Sequence, residues 1–177
     1  MKRALIIGRF QPFHLGHIKI IEEISRACDE IIIGIGSSQE SHTIKNPFTA
    51  GERIMMIKNS LDSSYSNLNK KINYLIIPIS DVNNNSIWVS HVSSLVPKFH
   101  VVYSGNNLVK RLFKEAGFLV MEQKNYDRHE YSGTEIRERI IKGIEWEYLV
   151  PNSVVEIINE ISGVERIREL AVVSVLH

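Results

Sequence analysis

The sequence predicts an α/β fold, a doubly wound parallel sheet with a C-terminal helical subregion. Three observations lead there. Short runs of Ile, Val and Leu without polar alternation recur along the first two thirds of the chain, as expected of strands covered on both faces. Segments with helical periodicity separate them, and strands that alternate with helices pair in parallel through crossover connections. Towards the C-terminus only helical periodicity remains.

The first strand is ALII at residues 4–7, closed by Gly8. Ile20, Ile21, Ile24, Ala27 and Cys28 then recur at helical spacing, with Glu22, Glu23 and Arg26 on the opposite side. EIIIGI at 30–35 is the second strand. A helix over 49–61 opens on Thr49 with Glu52 three residues later, a capping-box signature, and carries Ile54, Met55 and Ile57 as apolar contacts. The Ser- and Asn-rich stretch 59–71 reads as a solvated loop. Residues 73–78 and 100–103 are the third and fourth strands, with helices expected over 87–96 and 108–116, the latter stopped by Gly117. Residues 118–121 are a weaker fifth strand, suited to an edge. The tail holds helices over 134–142, 153–161 and 165–171, punctuated by Pro151 and Gly163. No repeat or linker divides the chain, so one domain is expected across 1–177, with an α/β core to residue 126 and a helical part over 127–177.

Composition narrows the function classes. Lys and Arg number 21 against 20 Asp and Glu, a formal net charge of +1, so the basic excess of a nucleic-acid binder is missing and an anion site must come from local clustering. The single Cys28 rules out an internal disulfide framework and suits a reducing cytosol. MKR is followed by only four apolar residues, too few for a signal peptide, and no run approaches a membrane span. A cytoplasmic protein is expected.

Chemistry is concentrated at strand exits, where ligands bind in open parallel sheets. In GRFQPFHLGH at 8–17, Gly8 lets the backbone turn and Gly16 keeps the start of the next helix bare, so that an anion can approach its N–H groups. A helix terminus contributes only about 0.3–1 kcal/mol per charge, too little to hold and activate a polyphosphate. His14 and His17 add directed donors. Two histidines without a third ligand nearby make a poor zinc site.

HLGH resembles the HxGH signature of the nucleotidyltransferase superfamily, whose members share a Rossmann-like α/β core. The longer GRFQPFHLGH is similar to the archaeal type of nicotinamide-nucleotide adenylyltransferase. GSSQESHTIKNPFTAGER at 36–53, PISDVNNNSIWVSHV at 78–92, YSGNNLVKRLF at 103–113 and YSGTEIRERI at 131–140 extend the resemblance, and it continues through PNSVVEIINEISGVERIREL. It implies that His14, His17, Arg9 and Arg137 carry catalysis. It implies ATP contacts from these four and from Gly8, Phe10, Gln11, Gly16, Gly105, Asn106, Ser132 and Thr134. For the mononucleotide it implies Lys45, Phe48, Arg53, Asp81, Val82, Asn84 and Trp88, with Trp88 as the stacking platform.

Each residue also has a plainer reading. Ser132 and Thr134 suit an ordinary helix cap, Trp88 suits a core, Lys45 and Arg53 suit solvated surface, and Gly105–Asn106 suits a turn. The resemblance implies the reaction NMN + ATP → NAD + pyrophosphate, by in-line attack of an NMN 5′-phosphate oxygen on the α-phosphorus. That oxygen is already anionic, so no general base is needed. Mg²⁺ would enter with ATP rather than sit in a carboxylate cage. His17→Ala is expected to cut turnover and leave the fold intact. Nicotinate mononucleotide stays open as a substrate, and the assembly expected by resemblance is a homo-oligomer, such as a hexamer. The alternatives are another HxGH nucleotidyltransferase, such as a phosphopantetheine adenylyltransferase, or a nucleotide-sensing module without turnover.

Overall fold

The structure, a computed structural model, describes residues 1–66, 72–123 and 131–175. The expected boundary at 126/127 and residues 67–71 of the expected loop lie outside the described residues. The elements run β1 (Arg3–Gly8), α1 (Leu15–Ser25), β2 (Glu30–Ile35), α2 (Ala50–Ser66), β3 (Asn73–Pro78), α3 (Asn85–Leu95), β4 (Val101–Ser104), α4 (Asn107–Glu115) and β5 (Val120–Glu122). The helical tail follows as α5 (Gly133–Lys142), a 3₁₀ turn at Glu147–Leu149, α6 (Asn152–Glu160) and α7 (Gly163–Val175). Among the described residues the strands form one sheet in the order β3-β2-β1-β4-β5, and every neighbouring pair is parallel. The order reverses between β1 and β4. This is the expected doubly wound, Rossmann-like sheet, with β5 at its edge.

The chain divides into two compact units, Met1–Gly8, Lys19–Ser38 and Lys71–Asn125 in the first, and Arg9–Ile18, Gln39–Lys70 and Tyr126–His177 in the second. The first unit holds the sheet. Its central strands β1, β2 and β4 bury apolar residues on both faces, whereas β3 and β5, at the two edges, are more exposed. Leu5, Ile32 and Val102 pack on one face with Val92 and Val96 near α3, and with Phe99 and Phe113. Side chains alternate along a strand, so Ala4, Ile6, Ile31 and Ile33, equally buried, belong to the other face.

The second unit is helical and contains the segment that follows β1. In it α6 packs on α2, and α5 and α6 pack on α7. The capping box at α2 forms as expected: Thr49 N–H donates to Glu52 at 2.8 Å and Glu52 N–H to the Thr49 hydroxyl at 3.2 Å. Two expectations are corrected here. Residues 59–66 are helix, not loop, because Met56, Ile57, Ser60, Leu61 and Tyr65 continue a buried stripe through the polar stretch. Gly163 starts α7 rather than separating helices; a Cβ there would lie 3.1 Å from both Ile158 and the Phe48 ring, so the glycine serves close packing. Among the described residues no helix is long and apolar enough to cross a membrane.

Candidate active site

The segment after β1 is shaped by backbone bonds before any ligand is considered. Phe10 holds a left-handed conformation (φ 51°), which costs a non-glycine residue about 1–3 kcal/mol and persists only where surroundings enforce it. The next side chain supplies part of that enforcement. Gln11 is buried, its amide nitrogen donating to the Phe48 carbonyl and its amide oxygen accepting from the Phe48 N–H, both at 2.9 Å. The pair imitates a strand ladder and ties residue 11 to residue 48.

The two histidines then meet. Their rings stack with centroids 3.6 Å apart and planes inclined by 22°. Phe13 stacks on the His17 ring at 5.2 Å and Phe10 meets it edge-on at 4.8 Å. The His14 backbone N–H donates to His17 Nδ1 at 3.1 Å, so neutral His17 carries its proton on Nε2. His14 Nδ1 is buried without a hydrogen-bond partner in the protein. Buried polar atoms of this kind are uncommon, and at a cavity wall they mark a place where a ligand or water completes the bonding. Gly16 leaves room for this ring, since a Cβ there would stand 3.1 Å from His14 Nδ1 and 3.0 Å from Tyr131 Cβ.

The second motif arrives through α5. Ser132 is the N-cap and accepts from the Glu135 N–H at 3.1 Å. One turn in, the buried Arg137 donates to the Gln11 carbonyl at 2.6 Å, across 126 positions of sequence, and to the Thr134 hydroxyl at 3.4 Å. Gly133 permits that approach: a Cβ there would lie 2.7 Å from the Gln11 oxygen. A cavity of about 110 Å³ results, lined by Arg9, Phe10, Gln11, Pro12, His14, His17, Gly133, Thr134 and Arg137. Two motifs far apart in sequence thus form one pocket.

Its electrostatics invite an anion. Burial, and then the neighbouring Arg9, lower the Arg137 guanidinium to about 10, which leaves it protonated at neutral pH beside a second positive charge. Burial lowers His14 to about 4, and burial followed by His14 holds His17 well below its ordinary value. Both imidazoles are therefore neutral in the ligand-free protein at pH 7 and act as N–H donors without charge. The native state resists a proton that the unfolded chain accepts near pH 6.5. Stability is accordingly full above about 6.5 and falls as pH drops towards 4, with His14 contributing on the order of 3 kcal/mol. Ring NMR titration of the ligand-free protein should show no His14 midpoint between pH 5.5 and 7.5; a midpoint near 6.5 would contradict this burial effect.

The first unit holds another cavity, about 210 Å³, lined by Asp81, Val82, Asn83, Asn84, Asn85, Trp88, Asn106, Leu108, Val109 and Leu112. Asn84 caps α3, accepting from the Ser86 N–H at 3.0 Å, and Asn106 caps α4, accepting from Leu108 and Val109 N–H at 2.9 and 3.2 Å. The partly buried Trp88 ring is fixed against Phe113, centroids 5.5 Å apart and planes at 75°. A partly buried indole among side-chain amides is suited to a flat heteroaromatic ring bearing polar substituents.

The cytidylyltransferase-like family profile matches residues 5–139. The chain is 53% identical to the nicotinamide-nucleotide adenylyltransferase of Archaeoglobus fulgidus over 96% of its own length and 97% of the relative's. It is 58% identical to that of Methanococcus aeolicus, over 95% and 94%. The chain belongs to the cytidylyltransferase-like family and, within it, to the archaeal-type nicotinamide-nucleotide adenylyltransferases. The fold is shared with a bifunctional NMN adenylyltransferase/ADP ribose pyrophosphatase of Francisella tularensis, solved with AMP and a manganese ion, at a TM-score of 0.74 and 23% identity. The chain spans about half the length of that protein, 51% of it, while 96% of the chain is covered.

Within this adenylyltransferase family chain, the structure gathers Arg9, Phe10, Gln11, His14, His17, Thr134 and Arg137 into one pocket, with Gly16 and Ser132 shaping its two helix starts. Asp81, Val82, Asn84 and Trp88 share the other. Asn106, expected with the ATP group, lines the Trp88 cavity. Gly8 ends β1 and Gly105 follows β4. Lys45 is exposed, in a turn closed by Thr43 and Asn46, while Phe48 is fully buried, its backbone engaged by Gln11. Arg53, read from sequence as exposed unless bound to a ligand, has no exposed surface. Gly133 and Pro12, which lie inside the motifs SGTEIR and GRFQPFHLGH, also line the first pocket.

Proposed function

We propose that the protein transfers the adenylyl group of ATP to nicotinamide mononucleotide, NMN + ATP → NAD + pyrophosphate. By family the chain is a nucleotidyltransferase, and the archaeal relatives that match it over nearly their whole length are named for this activity. The observation that carries the reading is the single pocket built from residues 9–17 and 133–137. It offers two guanidiniums, two imidazole N–H groups and the starts of α1 and α5, which is the donor set a triphosphate requires.

The attacking 5′-phosphate oxygen of NMN needs no deprotonation and the protein needs no nucleophile. As the oxygen bonds to the α-phosphorus, the bond to the leaving pyrophosphate breaks and negative charge moves onto that group. Arg9, Arg137, His14 and His17 would stabilise it as fixed donors, the mode of catalysis that dominates phosphoryl and nucleotidyl transfer. The Trp88 cavity would hold the nicotinamide half. No group of three or more His, Cys, Asp or Glu among the described residues could hold a metal ion. A magnesium ion entering with ATP would be bound by triphosphate oxygens and water, adding charge neutralisation there. Nicotinate mononucleotide as a second substrate, the cytoplasm as location and a homo-oligomeric assembly complete the proposal.

Pyrophosphate release should be measured with ATP and NMN, nicotinate mononucleotide or phosphopantetheine in parallel. Turnover with a pyridine mononucleotide is expected. Release with phosphopantetheine alone would indicate a sibling enzyme, and tight ATP binding with no release would indicate a nucleotide-sensing module.

A further inference from the structure

Arg53 is the largest fully buried side chain of the described residues and the only charged one among those with no more than a trace of exposure. Its position has a definite geometry. Nε donates to the Thr49 carbonyl at 3.2 Å, one turn back in α2; one terminal nitrogen donates to the Arg9 carbonyl at 3.0 Å, and the other reaches the Glu40 carbonyl at 3.4 Å. A planar fork with five N–H donors can meet three carbonyls on three segments at once; an ammonium on a flexible stem cannot reproduce that pattern.

The Arg9 carbonyl is a consequential acceptor. It belongs to the residue whose guanidinium stands near Arg137, and it immediately precedes the left-handed Phe10. Gln11, the next residue, is held through Phe48 and Arg137. The strained segment is thus pinned on both sides of Phe10, and Arg53 is the pin on the Arg9 side. Burial of a guanidinium is costly unless it is well bonded, so its placement here reflects a structural demand of this segment rather than a solvated surface.

We propose that Arg53 is a positioning residue of the adenylyltransferase reaction, acting on ATP through the Arg9 backbone rather than by contacting the mononucleotide phosphate. The inference rests on the reading of the Arg9–Arg137 pocket as the triphosphate site. Releasing the Arg9 peptide lets it leave the arrangement in which both guanidiniums serve the phosphates, so the effect falls on ATP.

The test uses the full chain with Arg53→Lys and Arg53→Met, alone and combined with Arg9→Gln. Steady-state KM and kcat are measured for each substrate, with ATP affinity by calorimetry. Arg53→Lys should lower kcat/KM for ATP about ten- to a hundredfold, the scale of one charge-assisted hydrogen bond, and leave KM for NMN within about twofold. Adding Arg53→Met to Arg9→Gln should cost less than the product of the single losses, because the two act through one residue. Should Arg53→Met not fold, the lysine variant makes the same comparison. A larger loss for NMN than for ATP, full additivity, or a lowered unfolding temperature with unchanged kcat/KM would each overturn the proposal. Calorimetric ATP affinity requires no turnover, so the positioning role can be judged even if NMN proves not to be the acceptor.

Discussion

Replacing Arg137 with methionine should lower kcat/KM for ATP by about 10²–10³, the usual cost of removing one preorganised donor from a developing negative charge. Two functions are lost together. The guanidinium no longer meets phosphate oxygens, and the Gln11 carbonyl loses its 2.6 Å donor inside a buried site. Arg137→Lys separates them in part, because it keeps the charge but not the fork that spans the Gln11 carbonyl and the Thr134 hydroxyl. The lysine variant should therefore fall between wild type and Arg137→Met. Saturating NMN with varied ATP is the measurement, and a methionine variant within threefold of wild type would remove Arg137 from the phosphate site. Burial and the neighbouring Arg9 lower the Arg137 guanidinium only to about 10, so its charge is constant through the neutral range and ATP affinity should not vary with pH there on its account.

The second large effect is expected at His17. His17→Ala should reduce kcat by about 10²–10³ through loss of an N–H donor. It should also destabilise the protein, in contrast to the intact fold expected from sequence. The ring is stacked against Phe13 and His14, and its Nδ1 accepts the His14 N–H, so truncation leaves both a void and an unpaired donor. His17→Asn keeps an amide able to accept that N–H and should recover stability more than rate. Kinetics and thermal unfolding on both variants separate the two contributions. Near-normal kcat in either folded variant would dismiss the catalytic role.

The strands were legible because a strand covered on both faces leaves a local trace, an unbroken run such as EIIIGI, and all five emerged within a residue or two of their observed bounds. The Thr49–Glu52 capping box was legible for the same reason, since both partners lie within one turn. The end of α2 was not. Ser, Asn and Asp dominate residues 59–66 in composition, and the helix persists there because a few positions, Ser60, Leu61 and Tyr65, are buried by packing.

The site divides in the same way. Its cast could be named from GRFQPFHLGH and SGTEIR, but not which members would face a ligand and which would hold the others in place. Gln11 and Arg53 have side chains equal to binding phosphate, yet one is bonded to the Phe48 backbone and the other to the carbonyls of Arg9, Glu40 and Thr49.

By itself, then, the order of residues determined the alternation of strands and helices, the glycines and caps at their ends, and the two motifs that carry the donors, because each depends on neighbours within a turn or two of chain. Tertiary structure alone decided the strand order, the meeting of residues 11 and 137, the neutral state of the paired imidazoles and the commitment of buried side chains to particular carbonyls. Those outcomes depend on what long-range packing removes from water, and desolvation has no signature in the immediate sequence around a residue.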